Sequence, residues 1–343
     1  MFKTPKVGLS LSGGAARGLA HIGVVKALEE KSIPIDMISG TSAGALIGAY
    51  YAKERNVTAL EEIALGMDWR KLARLVDMNL ISPWKGFIQG QKIKAFLISL
   101  IGDIKFKDLE IPLAVVTTDV ETMEEFIIKE GSVIEAVRAS ISMPGVFTPV
   151  RWHNRLLIDG GVVNPMPVDV VRSMGADIII ASNTIGPAQQ RKSEQHTGSK
   201  VEAKLNLYLE STRLSALKKR IDNLARQDKD KIKILDDLYN IAKSKIYTLR
   251  GGTEPKTPNI FDIMTRSIHA MEYKLSKSAL KPADIIINPD ISHIGTFEFH
   301  SAEEAISQGY KAAHIMLPEL QKKIRCSRLI PMIRLPYSHG KHR

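Results

Sequence analysis

The residues Ile38-Ser39-Gly40-Thr41-Ser42-Ala43-Gly44 constrain this 343-residue chain more than any other stretch. They form a Gly-x-Ser-x-Gly pentapeptide with an apolar segment on each side. The segment before it, with Ile33, Ile35, Met37 and Ile38, reads as a short buried strand. The segment after it, with Ala43, Ala45, Leu46, Ile47, Ala49, Tyr50, Tyr51 and Ala52, reads as a buried Ala-rich helix. A serine on so tight a strand-to-helix turn takes a strained backbone, and Gly40 and Gly44 remove the Cβ atoms that would clash. The Ser42 hydroxyl is then expected at a helix N-terminus, where N–H groups and the helix dipole favour developing negative charge. Alone, the pentapeptide fits a nucleophile and a small-residue packing turn equally well.

A second glycine-rich turn precedes it. Val7-Gly8-Leu9-Ser10-Leu11 reads as a strand running into Ser12-Gly13-Gly14-Ala15-Ala16-Arg17-Gly18. A helix follows from Leu19 to about Lys31, with Leu19, Ile22, Val25 and Leu28 as its buried stripe. Strand, turn and helix together make an anion-binding nest suited to a dinucleotide pyrophosphate or to the oxyanion of an acyl transfer. Asp36 falls near the position of a ribose-binding acid. However, Ala15 stands where the second glycine of a dinucleotide fingerprint belongs, and the next strand ends in Gly40-Thr41-Ser42-Ala43-Gly44 instead of in that acid. Two neighbouring strands that bring tight glycine turns to one sheet edge suit a hydrolase, which favours the oxyanion reading.

Residues 53–110 read as mainly helical, with Leu60, Ile63, Ala64 and Met67 on one face and a break at Pro83-Trp84-Lys85-Gly86. Trp69 and Trp84 are read as packing residues. Strands are expected at 111–118 and 125–128, then a helix from Val133 to Ser140 and a fixed loop over 141–150 rich in Pro and Gly. Leu156-Leu157-Ile158-Asp159-Gly160-Gly161 follows, an apolar strand ending in an aspartate and two glycines. A strand C-terminus is where an open α/β sheet places its working groups. Further strands at 178–181 and 284–289 and a helix from about Ala302 to Leu317 complete the pattern.

A late histidine would complete the Ser…Asp/Glu…His order of an α/β-hydrolase, but Ser42 follows only two strands, too early for that topology. The histidines, among them His21, His153, His269, His293, His300 and His314, are read as surface or satisfied core. Ser42 with Asp159 is the simpler pair: the aspartate takes the serine proton and the glycine turn holds the oxyanion. No stretch has metal-ligand spacing such as His-Glu-x-x-His, so neither a metal nor another cofactor is expected.

Gly13-Gly14-Ala15-Ala16-Arg17-Gly18, Gly40-Thr41-Ser42-Ala43-Gly44 and Asp159-Gly160-Gly161, in this order, resemble the oxyanion loop, nucleophile elbow and Asp-Gly-Gly motif of the patatin-like phospholipases. The stretch from Arg138 to Val150 and Asn164-Pro165-Met166-Pro167-Val168 are also similar to that family. The resemblance covers about 6–187, resumes at about 260–318, and points to the short bacterial members. It implies Ser42 as nucleophile, Asp159 as base, backbone N–H groups of Gly13–Gly18 as oxyanion donors, and Arg17 as a residue that fixes the turn. Ala15 departs from the strict glycine pattern, which leaves open which amides point inward.

The expected fold is α/β: a patatin-like, largely parallel central sheet sandwiched by helices, with a Ser–Asp dyad at the strand C-terminal edge. One domain over 6–320 would be interrupted by a basic insertion at about 188–258 and followed by a basic tail, 321–343. The insertion and the tail each carry a net charge of +7, leaving −3 on the body, so the basic parts are appendages to an acidic core. They suit an anionic surface, and with few aromatics among them a lipid surface is preferred to nucleic acid. The insertion reads as amphipathic helices, with Leu205, Leu209, Leu214, Leu217, Ile221 and Leu224 at helical spacing. Such helices are either a membrane-docking element or a hairpin packed on the body. A single cysteine, Cys326, excludes a disulfide framework, and Met1–Lys6 shows no leader, so a cytoplasmic protein is expected. The expected activity is hydrolysis of a lipid carboxylic ester through an acyl-enzyme. The alternatives are a catalytically weak regulatory relative and a nucleotide-binding module.

Overall fold

The computed structural model describes residues 4–67, 71, 74, 75, 77, 88–187 and 260–329. Trp69, Trp84, the break at Pro83–Gly86, the basic segment 188–258 and the tail beyond Leu329 lie outside the described residues. The strands are β1 (Val7–Leu11), β2 (Met37–Thr41), β3 (Leu113–Asp119), β4 (Glu125–Ile128), β5 (Val150–Trp152), β6 (Arg155–Asp159), β7 (Ile178–Ser182) and β8 (Ile285–Ile287). They form one sheet in the order β5-β6-β3-β2-β1-β7-β8, with β4 also paired to β3. The described helices are α1 (Ala20–Glu30), α2 (Ala43–Glu54), α3 (Thr58–Leu65), α4 (Gln91–Ile101), α5 (Val133–Ser140), α6 (Val168–Ser173), α7 (Ile260–Ala279) and α8 (Ala302–Leu329).

Strand periodicity sets the two layers. Val7, Leu9 and Leu11 of β1, Ile38 of β2, Leu113 and Val115 of β3 and Ile178 and Ile180 of β7 face one side, where they join residues of α1, α2, α4, α5 and α8 in the main core. The alternate residues Met37, Ile179 and Ala181 face the other side and pack on Val168 and Val171 of α6. Both faces are covered, as the near-continuous apolar strands require.

Three elements differ from the sequence expectation. Strand β2 begins at Met37, because Pro34 has no N–H to give a ladder even though Ile33 and Ile35 are buried. Helix α8 passes through Pro318 and runs on to Leu329, since Leu317, Leu320 and Ile324 keep the buried spacing and their burial outweighs one interrupted turn. The loop over 141–150 ends in β5, which turns back at His153 and Asn154 to form a hairpin with β6.

That hairpin gives the sheet an antiparallel edge. The pairs β1·β2, β1·β7, β2·β3 and β7·β8 are parallel, while β3·β4, β3·β6 and β5·β6 are antiparallel. Val115 and Val116 pair with both β2 and β4, and Thr117 and Thr118 with both β4 and β6. A strand has only two edges, so β2 and β6 share one edge of β3 and run toward each other along it. They meet where Thr41 lies opposite Val116 and Asp159 opposite Thr117.

Candidate active site

Ser42 follows the last residue of β2 and caps α2 with φ 54° and ψ −120°. Such a backbone costs an L-residue about 1–3 kcal/mol and persists only where its surroundings hold it. The holding contact is specific: the Ser42 N–H donates to Ser140 Oγ at 2.8 Å, and that hydroxyl donates onward to the Val116 carbonyl at 2.6 Å. The glycines let α2 approach this closely. A Cβ on Gly44 would lie 2.3 Å from the Leu11 carbonyl oxygen, and one on Gly40 would lie 2.6 Å from that of Gly44.

The Ser42 hydroxyl donates to Asp159 Oδ2 at 2.7 Å. Asp159 is buried, and its other oxygen accepts the Gly161 N–H at 2.8 Å. Its backbone is fixed from two sides: Asp159 N–H donates to the Ser142 carbonyl at 3.0 Å, and its own carbonyl accepts Thr118 Oγ1 at 2.8 Å. Gly160 keeps the turn flat against β3, since a Cβ there would lie 2.4 Å from the Val116 oxygen. Asp159 reaches Ser42 by a different route from the one the sequence suggested. Asp159 is not at the C-terminal edge of a parallel sheet; its strand runs antiparallel to β3 and stops level with Ser42. Burial, and then the negative charge of Glu272, push the Asp159 carboxyl up to about 7, against the hydrogen bonds from Gly161 and Ser42.

The turn after β1 sits beside the serine, with Gly18 so close to Ala43 that an added Cβ would lie 2.4 Å from the alanine methyl. Gly14 has φ 147° and Ala15 φ 49°, so the alanine does occupy the left-handed region. Three of the turn's amides are taken: Gly13 donates to Pro165 O at 2.9 Å, Ala16 to Thr296 O at 3.1 Å and Arg17 to Gly14 O at 3.1 Å. The amides of Gly14 and Ala15 meet no acceptor among the described residues. Buried His21 braces the turn from below, with Nε2 2.9 Å from Ser12 O and Nδ1 2.7 Å from Ser182 Oγ. Its burial depresses the imidazole to about 4, so it is neutral at pH 7. Asp36 lies at the opposite end of the sheet, where Oδ2 accepts the Val7 N–H at 2.7 Å; it cannot serve a ligand in the turn.

Helix α7 roofs the site. Thr265, Ile268, His269 and Glu272 close over Ser42, Gly14, Ala15 and Arg17 around a cavity of ≈ 10 Å³, the room of about one water. Arg17 points to this helix and not into its own turn: Nη1 lies 3.2 Å from His269 Nε2 and Nη2 3.0 Å from His269 Nδ1. His269 Nδ1 in turn lies 3.9 Å from Glu272 Oε2. A larger cavity of ≈ 530 Å³ lies along Phe126, Trp152 and Arg155 and contains no predicted site residue. Ser140, His269 and Glu272 were not singled out as site residues from the sequence; Ser140 alone lay in a quoted motif stretch, and no local pattern marks α7.

A strained serine on a strand-to-helix turn, hydrogen-bonded to a buried carboxylate and beside two amides without an acceptor among the described residues, has the backbone geometry that nucleophile elbows of α/β proteins share. Residues 9–172 match the family model of the patatin-like phospholipases, a family of lipid-acting hydrolases, so this part of the chain is similar to a patatin-like phospholipase domain. An uncharacterized NTE family protein of Mycobacterium tuberculosis is 29% identical over 325 residues, 89% of each chain. The neuropathy target esterase of Drosophila melanogaster is 39% identical over 180 residues, which are 51% of this chain and 12% of that protein. A lysophospholipase of Aspergillus fumigatus is 35% identical over 181 residues, again 51% of this chain and 12% of the relative. No helix among the described residues is long and apolar enough to cross a membrane.

Proposed function

We propose that this protein is a serine esterase of the phospholipase A or lysophospholipase type, with Ser42 as nucleophile and Asp159 as base. The 2.7 Å hydrogen bond from Ser42 Oγ to Asp159 Oδ2 at the N-terminus of α2 carries this reading. As Ser42 Oγ bonds to the ester carbonyl carbon, its proton passes to Asp159. The carbonyl oxygen becomes an oxyanion that the unpaired amides of Gly14 and Ala15 can receive, and preorganised donors of this kind are worth about 10²–10³ in rate each. Collapse breaks the bond to the leaving alcohol, which takes the proton back from Asp159. Water then attacks the acyl-enzyme along the same path in reverse and releases the fatty acid. The base must be ionised to begin, so kcat/KM should rise with pH through about 7.

The cavity of ≈ 10 Å³ does not admit an acyl ester, so turnover requires α7 to lift. A lipid substrate fits this requirement, because an insoluble chain enters from a surface that can meet the roof helix: α7 exposes Ile263, Met271 and Leu275. The catalytically weak reading would give no covalent adduct. Labelling of the full chain with a fluorophosphonate, with Ser42→Ala as control, tests the proposal. A single adduct on Ser42, absent in the variant, is expected; no adduct, or one elsewhere, rules the nucleophile out.

A further inference from the structure

We propose that Glu272, carried over the site by α7, is a positioning residue for the chemistry: its carboxylate acts through Asp159 and makes that aspartate a stronger base. The inference rests on the esterase reading for its consequence, but on geometry for its substance. A Cβ built on Gly161 would lie 2.4 Å from Glu272 Oε1 and 3.1 Å from Asp159 Oδ1, so the two carboxylates flank one point. The bare glycine at Gly161 is what lets them share that space. Glu272 also borders the cavity in which Ser42 stands.

The charged and titratable groups around Asp159 are few. From β3 it meets Thr117 and Thr118, and from the end of β2 it meets Ser42, none of them charged at neutral pH. From α7 it meets Glu272, with His269 3.9 Å behind that carboxylate and Arg17 behind His269. From α5 the buried Arg138 donates to Ser142 Oγ at 2.6 Å and forms no ion pair with Asp159, so the charge that acts on the Asp159 carboxyl is that of Glu272, and a negative charge beside a carboxyl opposes its ionisation. Behind Glu272 stand His269 and the buried Arg17, and the Glu272 charge favours the charged form of that guanidinium. The upward displacement of the Asp159 carboxyl, with Glu272 as its second cause after burial, agrees with this geometry.

The consequence is catalytic. An aspartate at its ordinary proton affinity is a poor acceptor for a serine hydroxyl, whereas one that titrates near neutrality approaches the best match for a base at that pH. Glu272 takes no proton and forms no bond with substrate. Because Glu272 rides on α7, lifting the roof to admit substrate takes it from Asp159, and the tuning acts when the helix lowers again over the bound ester.

The test is a carboxyl ¹³C titration of the full chain labelled with [4-¹³C]aspartate, the Asp159 signal being assigned by its loss in Asp159→Asn. In Glu272→Gln the Asp159 midpoint should fall by about half to one pH unit, since an isosteric amide removes only the charge. An unchanged midpoint overturns the proposal. If Glu272→Gln does not fold, Glu272→Ala serves in the same measurement with the same two outcomes. The pH dependence of fluorophosphonate inactivation, run in parallel, should move in the same direction. Absence of any adduct on wild-type Ser42 would sink the esterase reading and still leave the titration to judge Glu272.

Discussion

Ser42 and Asp159 arrive from opposite ends of one edge of β3, and the regions that carry them hold a functional group by different means. In the parallel half, β1 and β2 each lead through a glycine turn into the helix that follows, so the geometry at Ser42 is made within a few residues and stored as backbone strain. At the antiparallel edge no such local device exists. Asp159 is placed by the pairing of β6 with β3, by the Thr118 hydroxyl and by the Ser142 carbonyl, and its cost is a buried charge. One partner is strained and partly exposed; the other is relaxed and buried. A pair built this way keeps its serine hydroxyl reachable and hides its carboxylate from water, which raises the carboxylate's proton affinity.

The largest effect should come from removing the buried charge. Asp159→Asn is expected to lower ester hydrolysis by about 10³–10⁴-fold or more, because the amide cannot accept the serine proton. The same variant should be more stable than wild type, with a pH dependence whose sign follows from the raised carboxyl. Between about pH 4 and pH 7 the folded state keeps the Asp159 proton that the unfolded chain has lost. Wild-type stability from this group therefore falls as pH rises, by about 1.4 kcal/mol per unit across that window, and is flat above it. The melting advantage of Asp159→Asn should grow from pH 4.5 to pH 7 and then level off. An advantage independent of pH would mean that Asp159 ionises normally and that the contrast between the two partners is wrong.

The same contrast decides what was legible in the sequence. The glycine turns are local, so Gly13–Gly18 and Gly40–Gly44 could be read as strand–turn–helix units, and the fold class followed from them with the apolar strands. Asp159 could be read as a strand end followed by glycines, but not as antiparallel, because β5 is only three residues long and its pairing depends on a partner it meets after the chain reverses. The α7 contribution was invisible for a stronger reason. His269 and Glu272 carry no motif, and only the fold brings them beside Arg17 and Gly161, which lie more than a hundred residues away in sequence. Arg17 itself was expected to fix its own turn; burial beside α7 gave it a partner that no spacing could suggest.

A smaller effect should come from the contact that joins the two regions. Ser140, at the end of α5, receives the Ser42 N–H and passes a hydrogen bond to Val116, beside the point where β2 and β6 meet. Ser140→Ala would leave the part-buried Ser42 N–H and the buried Val116 carbonyl without their partner, the carbonyl alone worth about 1–3 kcal/mol of destabilisation. The strained φ of Ser42 would be the first geometry to relax. We expect kcat to fall by about 10–100-fold with KM little changed, and the melting temperature to drop. If kcat holds while the melting temperature drops, the hydroxyl supports the fold alone and the strain at Ser42 is held elsewhere.

The smallest effect tests whether the parallel half carries more strain than it needs. Ala15 sits at φ 49°, where an L-residue costs about 1–2 kcal/mol that glycine does not incur. Against this, glycine adds conformational freedom to the unfolded chain, worth about 0.4–1 kcal/mol. The two partly offset, so Ala15→Gly should stabilise by about 0–1.5 kcal/mol. Because the amide of residue 15 is one of the two unpaired donors and its position depends on the backbone alone, activity should stay within about threefold. Urea unfolding and ester turnover of the same preparation check both statements. A loss of more than about 1 kcal/mol would show that the Ala15 methyl packs usefully against the site. A large loss of turnover at unchanged stability would show instead that the alanine stiffens the turn and fixes the direction of its amide. That outcome would turn the departure from an all-glycine turn into a functional choice.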